Sequence, residues 1–264
     1  MKKNQSPEND LRPFYFELQA TLGITSHMGG LKATKELAEL CDINPETSLL
    51  NVGCGIGATS FYIANTYNCH VVSVDIRAEM VARSKKTAQK KGITRHAEFL
   101  VADALNLPFK PNSFDVAISE SVTAFLPDRQ SAVTEYTRVT KPGGYIGLNE
   151  AAWITPPPQE LVDYFYSIMG VNPESPEGWE ELLKGSGLHD IVVNSSKTTY
   201  RSQFANEIKM AGFAEIFKPW GRLINLYFKS PVYRKVIHGM ARGAMSIPRN
   251  LFDYFGYGLY VGRK

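Results

Sequence analysis

The feature that most constrains this chain is a short apolar stretch that runs directly into three closely spaced glycines. Residues 49–52 read Leu-Leu-Asn-Val, and Gly53, Gly55 and Gly57 follow within five positions. Glycine adopts backbone angles that other residues avoid, and the first N–H groups of a helix have no partner within that helix. A strand, a glycine turn and a helix in this order therefore predict a ligand-binding turn at the end of a strand.

Four further apolar stretches follow the glycine turn at regular intervals. They predict strands over residues 70–76, 97–104, 114–121 and 145–150, with helices between them. This alternation of strands and helices predicts a doubly wound α/β fold with a mostly parallel, Rossmann-like sheet. Ligands of such sheets bind beyond the carboxyl ends of the strands, where this chain carries four carboxylates: Asp75, Asp103, Glu120 and Glu150.

We expect a single domain over residues 1–264, in which helical segments flank the sheet. The predicted parts are an N-terminal helical segment over 1–46, a cofactor-binding core over 47–150, and helical cap or substrate elements over 151–187 and 201–255. Two more predicted strands, over residues 191–196 and 257–262, bring the sheet to seven strands. The helical cap is inserted before the last strand, and it is longer than a hairpin or a simple helical connection needs.

The glycine turn alone does not identify its ligand. Gly53, Gly55 and Ala58 also satisfy the dinucleotide pattern G-x-G-x-x-G/A, so an NAD(P)-dependent oxidoreductase is one alternative. A regulatory protein that binds a cofactor without catalysis is another. Asp75 ends the second strand 22 residues after Gly53, where an acid can bind both hydroxyls of a ribose. The two patterns together predict an adenosine-containing cofactor.

Five landmarks in the order found here resemble the class I S-adenosylmethionine-dependent methyltransferases, over about residues 25–150. The last landmark is the Lys-Pro-Gly-Gly turn at residues 141–144. The resemblance implies that S-adenosyl-L-methionine is the cofactor. It places the glycine loop beside the methionine part, Asp75 at the ribose, Asp103-Ala104 at the adenine and Ser119-Glu120 under the sulfonium. The implied cofactor-binding residues are Gly29, Gly53, Cys54, Gly55, Gly57, Asp75, Ile76, Asp103, Ala104, Ser119 and Glu120.

A second segment with a family counterpart lies upstream of the first strand. Residues 26–34 resemble the Gly-Gly segment of small-molecule methyltransferases such as those that act on phosphoethanolamine. Serine or threonine commonly precedes those glycines, whereas this chain has His27 and Met28. The resemblance implies methyl transfer to a nitrogen, oxygen or carbon atom of a small molecule.

Three polar residues lie where the resemblance and the strand ends place the substrate, and they are candidates for a catalytic role. A base is needed only when the nucleophile must lose a proton. His27 is either that base or a structural group. Glu120 either binds a cation in the site or caps the next helix. Glu150, close to Trp153, either holds an amine by charge and cation–π attraction or is a solvated surface carboxylate. The chemistry requires no metal, and none is expected.

The acceptor is left open between two chemical classes. Amines fit Glu120, Glu150 and Trp153, whereas lipophilic acceptors fit an aromatic insertion. The candidate substrate residues are Tyr15, Trp153, Phe213, Phe217 and Trp220. Nucleic-acid bases are disfavoured, because the fourth strand lacks the Asn-Pro-Pro-Tyr type of tetrad associated with their methylation.

The net charge of +3 is unevenly distributed. Residues 201–264 hold 11 Lys or Arg and 3 Asp or Glu, a local charge of +8, which leaves −5 for residues 1–200. Solvated helix faces, an anionic substrate or peripheral contact with a membrane, and nucleic acid are the three explanations. The sequence contains no apolar run long enough for a membrane span and no signal-peptide core at its start, so a cytoplasmic location is expected. The three cysteines are not clustered, which argues against disulfides and zinc.

Overall fold

The computed structural model describes residues 27–198 and 248–264, together with residues 221, 224–225, 227–228, 231–235 and 237–238. In the two long ranges the helices are α1 (Gly30–Leu40), α2 (Ala58–Tyr67), α3 (Ala78–Lys91), α4 (Arg129–Val139), α5 (Gln159–Met169), α6 (Pro176–Gly185) and α7 (Leu251–Tyr254). The strands are β1 (Ser48–Val52), β2 (His70–Asp75), β3 (Ala97–Val101), β4 (Phe114–Glu120), β5 (Thr140–Trp153), β6 (His189–Lys197) and β7 (Phe255–Arg263). A short 3-10 helix over Thr123–Phe125 follows β4.

The strands form one seven-stranded sheet in the order β3-β2-β1-β4-β5-β7-β6. The first five strands of the chain pair in parallel, and β7 runs antiparallel between β5 and β6. This is the predicted mostly parallel, doubly wound fold. The strand order reverses between β1 and β4, and in open α/β sheets the crevice at such a point is where ligands bind.

Two of the predicted strands have different lengths in the structure. β3 ends at Val101, because the chain turns at Asp103, whose backbone bridges to Asn106. β5 extends to Trp153, because β7 pairs with it continuously from Tyr145 to Trp153. Glu150 therefore lies within β5 and not at its end, which corrects the sequence-based placement.

The predicted Lys-Pro-Gly-Gly turn is a bulge inside β5. Pairing with β4 shifts from Thr140, opposite Phe114, to Tyr145, opposite Val116. Gly143 has a φ of +80°, and a Cβ on Gly144 would lie 2.3 Å from the carbonyl oxygen of Asp115. Gly143 thus allows the backbone angle of the bulge, and Gly144 leaves room for the carbonyl oxygen of Asp115.

Each face of the sheet is covered by a hydrophobic core. One core joins β1, β2 and β4 to α1, α2 and α3, with Leu37, Leu49 and Ile118 among its buried side chains. The opposite core includes Tyr136 of α4 and Trp179 of α6. A third, smaller cluster contains Trp153, Leu161, Leu251 and Phe255. No helix in the described residues is both long enough and apolar enough to cross a membrane.

Part of the predicted substrate region lies outside the described residues. This applies to residues 1–26, with Tyr15, and to most of the predicted cap over 201–255, with Phe213, Phe217 and Trp220. Those assignments stay predictions. Trp153 is the one candidate substrate side chain that falls within the described ranges.

Trp179 provides a test of the second core. Its side chain is fully buried, its Nε1–H donates to the carbonyl of Ala151 at 3.1 Å, and its ring packs on Tyr260. Trp179→Ala should lower the free energy of unfolding by about 3–5 kcal/mol, because it leaves a large cavity. Tyr166→Ala, at a side chain 52% exposed, should change it by less than about 0.5 kcal/mol. Denaturant unfolding compares the two variants, and equal losses would contradict this account of the core.

Candidate active site

The glycine turn is shaped by close packing at the end of β1. Gly53, Gly55 and Gly57 all have positive φ angles, of 74°, 53° and 84°. The N–H groups of Gly53 and Cys54 both donate to the carbonyl of Val74, at 2.8 and 2.9 Å. A Cβ on Gly53 would lie 2.3 Å from the side chain of Val122. The loop therefore needs glycine for both its conformation and its clearance.

Asp75, at the end of β2, holds this loop in place. Its Oδ2 accepts a hydrogen bond from the backbone N–H of Gly55 at 2.8 Å, and its Oδ1 accepts one from Arg77 at 2.9 Å. A carboxylate has about four acceptor positions, so each oxygen keeps capacity for another donor. The next residue, Ile76, leaves 67% of its surface exposed. A hydrogen-bond acceptor, Asp75, and an apolar side chain, Ile76, are thus adjacent at the edge of the loop.

The adenine-side residues predicted from the resemblance lie at the end of the neighbouring strand β3. Asp103 is exposed, and its Oδ1 accepts from the N–H of Leu105 at 2.9 Å. Ala104 is buried in the core. The N–H of Ala102 donates to the carbonyl of Asp75 at 3.1 Å. This bond holds the start of the Asp103 turn beside Asp75.

A cavity opens between the glycine turn and the start of α1, with a buried carboxylate among its lining side chains. Its lining residues are His27, Asn51, Gly53, Cys54, Gly55, Ala58, Thr59 and Glu120. Glu120 is 8% exposed, and its carboxylate accepts from Thr59 at 2.6 Å, Thr34 at 3.0 Å and Asn149 at 3.2 Å. The Nε2 atom of His27 lies 3.4 Å from Oε1 of Glu120. The structure thus brings together two of the three predicted catalytic candidates.

The contacts of Met28 and Gly29, which follow His27 in the chain, hold His27 at this cavity. The backbone of Met28 is held on both sides, since its N–H donates to Oγ of Ser121 at 3.1 Å and its carbonyl accepts from Nδ2 of Asn149 at 2.9 Å. Gly29 then turns with a φ of +73°, and a Cβ there would lie 2.5 Å from the ring of Tyr257. The chain can make this turn under Tyr257 only without a side chain.

Glu150 lies on the other face of the sheet. Its Oε1 accepts from the N–H groups of Val122 and Thr123, at 3.1 and 2.7 Å, and its Oε2 from that of Ala124 at 3.3 Å. Burial raises the pKa of the Glu150 carboxyl to about 7, although these hydrogen bonds oppose the rise. Glu150 therefore anchors the 3-10 helix and is not a solvated surface group.

The predicted pairing of Glu150 with Trp153 does not form. Residues three apart on a strand point to opposite faces of a sheet. Trp153 packs against Phe165 and Phe255, with ring centroids 5.5 and 5.6 Å away. Ser119 also faces away from the cavity, because its Oγ bonds to Thr123 Oγ1 at 3.0 Å beside Glu150. Its place among the cofactor-binding residues stays a prediction.

The residues that line the cavity favour a cationic or neutral ligand. Its described lining contains Glu120 but neither Lys nor Arg. Burial raises the pKa of the Cys54 thiol, which disfavours a reactive thiolate there. Over the described part of the chain, no group of three or more His, Cys, Asp or Glu side chains is placed to hold a metal ion.

Sequence reasoning missed three partners of Glu120: Thr34, Thr59 and Asn149. Thr34 lies seven residues after His27, and Thr59 lies two residues after the last glycine of the loop. Asn149 alternates with Glu150 along β5, so the two point to opposite faces. No local sequence pattern around Glu120 points to these three residues, because each of them is at least 29 positions away from it in the chain.

The family comparison agrees with this geometry. A family model described as a methyltransferase domain matches residues 50–148, from β1 to β5. These residues form a methyltransferase domain. Phosphoethanolamine N-methyltransferase from Triticum aestivum is 28% identical over 180 residues, which cover 68% of this chain and 35% of the wheat protein. The chain thus spans about a third of the length of that relative.

Solved structures share the methyltransferase fold at low sequence identity. The [4+2]-cyclase SpnF superposes with a TM-score of 0.76 at 19% identity, over 96% of this chain and 95% of that one. Haemonchus contortus phosphoethanolamine N-methyltransferase 2, solved with phosphomonomethylethanolamine and S-adenosylhomocysteine, gives a TM-score of 0.73 at 19% identity. The match covers 100% of this chain and 61% of that chain. At this identity the likeness extends to the fold alone.

Glu150 generates a prediction about pH. Its pKa in the folded protein, about 7, is above the ordinary 4.5, so the stability linked to its proton is fully present below about pH 4.5 and is lost as the pH rises through 7. Between pH 5 and 8, the free energy of unfolding of the unmodified protein should fall by about 2–3 kcal/mol more than that of Glu150→Gln.

The control is Glu181→Gln, at an exposed carboxylate of α6. It should follow the pH dependence of the unmodified protein. Denaturant unfolding at several pH values measures all three proteins. Parallel curves for the unmodified protein and Glu150→Gln would contradict the assignment of a buried, proton-retaining Glu150.

Proposed function

We propose that this protein transfers a methyl group from S-adenosyl-L-methionine to a small-molecule acceptor. The observation that carries the proposal is the position of Glu120 and His27 in one cavity beside the Gly53–Gly57 loop. A cofactor held by this loop would lie beside the buried Glu120 carboxylate and the His27 imidazole. The cavity described above thus combines a surface for the cofactor with groups that can hold charge and a proton.

The residues present fit the cofactor. Asp75 keeps acceptor capacity for the ribose hydroxyls while it holds Gly55. Exposed Ile76 offers an apolar surface for the adenine, with Asp103 and Ala104 beyond it. The bare backbone of the glycine loop gives the methionine part close access. When bound, S-adenosyl-L-methionine supplies an electrophilic sulfonium methyl group.

Glu120 and His27 divide two tasks in the proposed reaction. The Glu120 carboxylate stabilises positive charge in a cavity whose described lining has no cationic Lys or Arg. His27 is the candidate proton acceptor, because a neutral imidazole has one ring nitrogen that can accept a proton. Positioning of the two reactants supplies most of the remaining acceleration. Glu150 has no direct part, since its carboxylate is occupied by the 3-10 helix on the other face.

For the acceptor, we propose a small amine or a lipophilic molecule. The buried Glu120 carboxylate favours a cationic amine, and the relatives named above act on or bind phosphorylated amines. The cluster of Trp153, Phe165 and Phe255 also packs against Met28, the neighbour of His27, and so offers an apolar wall near the same site. A cytoplasmic location is part of the same proposal.

The activity is tested with cofactor labelled in its methyl group. The full chain should transfer label to phosphoethanolamine or to a component of a small-molecule extract, and mass analysis of the product identifies the acceptor. Glu120→Gln should lower this transfer by about 10²–10⁴-fold, because it removes the charge in the cavity. A folded protein that binds the cofactor but labels no acceptor would overturn methyl transfer and favour non-catalytic binding.

Cofactor binding is tested separately at Asp75. Asp75→Ala should weaken the binding of S-adenosyl-L-methionine by about 2–4 kcal/mol, since hydrogen bonds to a charged acceptor are lost. Glu160→Ala removes an exposed carboxylate from the first turn of α5 and should leave the affinity unchanged. Isothermal calorimetry measures both variants. Unchanged affinity in folded Asp75→Ala protein would refute this cofactor site.

A further inference from the structure

Three large apolar side chains are exposed on the helical residues between 221 and 238. Ile224 is 55% exposed, Phe228 is 74% exposed and Val232 is 46% exposed, and all three belong to helical parts of the chain. A single exposed apolar side chain is ordinary, whereas a group of them marks a surface that binds a partner or a membrane. These residues therefore indicate a docking surface.

The chain bends close to these apolar residues. Oη of Tyr227 lies 3.1 Å from Nε2 of His238, eleven residues later, and the two ring centroids are 5.6 Å apart. In one straight α-helix, this separation would place the two residues about 16 Å apart along the axis, more than the two side chains span together. Pro231 lies between them, and proline kinks or ends a helix. The chain therefore bends in this interval, where Phe228 and Val232 stand on either side of Pro231 in the sequence.

The same part of the chain is basic. Residues 216–247, the basic segment, contain six Lys or Arg and neither Asp nor Glu. Arg234 and Lys235 are exposed and follow Val232 closely in the sequence. Residues 1–200 carry a charge of −5, so an anionic surface attracts the basic segment and repels the larger part of the protein. The charge distribution thus favours one orientation on such a surface, with the basic segment toward it.

We propose that the basic segment docks on an anionic lipid bilayer, where Ile224, Phe228 and Val232 enter the interface and the basic side chains contact the headgroups. Apolar side chains among Lys and Arg are the combination that holds a helix at a membrane interface. A second copy of this chain is disfavoured because two basic segments repel each other, and the phosphates of a nucleic acid would leave the apolar side chains in water. Docking concerns where the protein lies, and it does not depend on the proposed function.

Entry into the bilayer is tested with an environment-sensitive fluorophore attached to Phe228→Cys. The three native cysteines are buried, so the label reacts at the new thiol. Its emission should shift to the blue when vesicles of phosphatidylcholine and phosphatidylserine are added, because lipid replaces water around it. Tyr166→Cys, at an exposed aromatic position of α5, is the matched control and should show no shift. Val232→Cys takes the place of Phe228→Cys if that variant does not fold.

The part played by charge is tested by co-sedimentation of the unlabelled full chain with the same vesicles. Arg234→Gln combined with Lys235→Gln should lower the affinity about 30-fold, because each base near an anionic surface contributes about fivefold to binding. Lys85→Gln combined with Lys86→Gln removes the same charge from the exposed face of α3 and should lower it less than about twofold. Added salt should weaken the binding of the unmodified protein, since it screens the attraction.

Other ways of covering the apolar side chains give different results. A blue shift of labelled Phe228→Cys protein without vesicles, on raising the protein concentration, would show that a second copy covers them. A shift on adding S-adenosyl-L-methionine alone would show that the basic segment closes on its own chain. Either result would overturn the proposal, as would no shift with vesicles or the same shift for Tyr166→Cys. Equal losses of affinity in the two paired variants would also overturn it, because the attraction would then depend on net charge alone.

Docking and methyl transfer are judged separately by these measurements. Vesicle binding needs neither acceptor nor turnover, and Asp75→Ala, which should lose affinity for the cofactor, should bind vesicles as the unmodified protein does. A protein that docks but transfers no methyl group would refute the proposed function alone. A protein that transfers methyl groups but does not bind the vesicles would refute docking alone.

Discussion

Burial of the Glu120 carboxylate obliges the chain to bring hydrogen-bond donors to it from separate segments. An unpaired buried charge is costly, so each donor that meets it also fixes the segment that carries it. Thr34 comes from α1, Thr59 from α2 and Asn149 from β5. The contacts of Glu120 thereby fix the positions of α1, α2 and β5 relative to one another around the cavity.

The neighbouring strand carries a second buried carboxylate that is satisfied in a different way. Glu150 receives three backbone N–H groups from the turn after β4, whereas Glu120 receives side-chain donors. The same turn contains Val122, whose side chain covers Gly53 so closely that no Cβ fits there. The two acids lie on opposite faces of the sheet, yet both help to form the surroundings of the glycine loop. Glu120 lines the cavity beside the loop, and Glu150 holds the turn that packs against it.

Much of the fold follows from local patterns in the sequence. The apolar stretches and glycine turn predicted β1, β2 and β4 closely, and helices lie between the strands, as the alternation predicted. The length of β5 was not predictable in this way. It depends on pairing with β7, more than a hundred residues later in the chain. The mistaken pairing of Glu150 with Trp153 has the same origin, because a strand that continues past Glu150 turns the two side chains to opposite faces.

The candidate site was predictable only in part, for a related reason. An acid at a strand end is visible in the sequence, and so Asp75 and Glu120 were found. The donors around Glu120 come from positions separated by 61 to 86 residues for the two threonines and by 29 for Asn149. Neither helical nor strand periodicity relates such positions, so Thr34, Thr59 and Asn149 emerge only when the sheet is assembled.

The position of β7 between β5 and β6 has a consequence for the order of folding. β6 has no direct pairing with β5, so it can join the sheet only after β7 has been made. The parallel strands β1 to β5 have their partners earlier, and they can assemble while the rest of the chain is still being synthesised. Tyr257, which packs over the Gly29 turn, also belongs to β7. The Gly29 turn, which places His27 at the cavity, can therefore gain its contact with Tyr257 only after strands β1 to β5 have assembled.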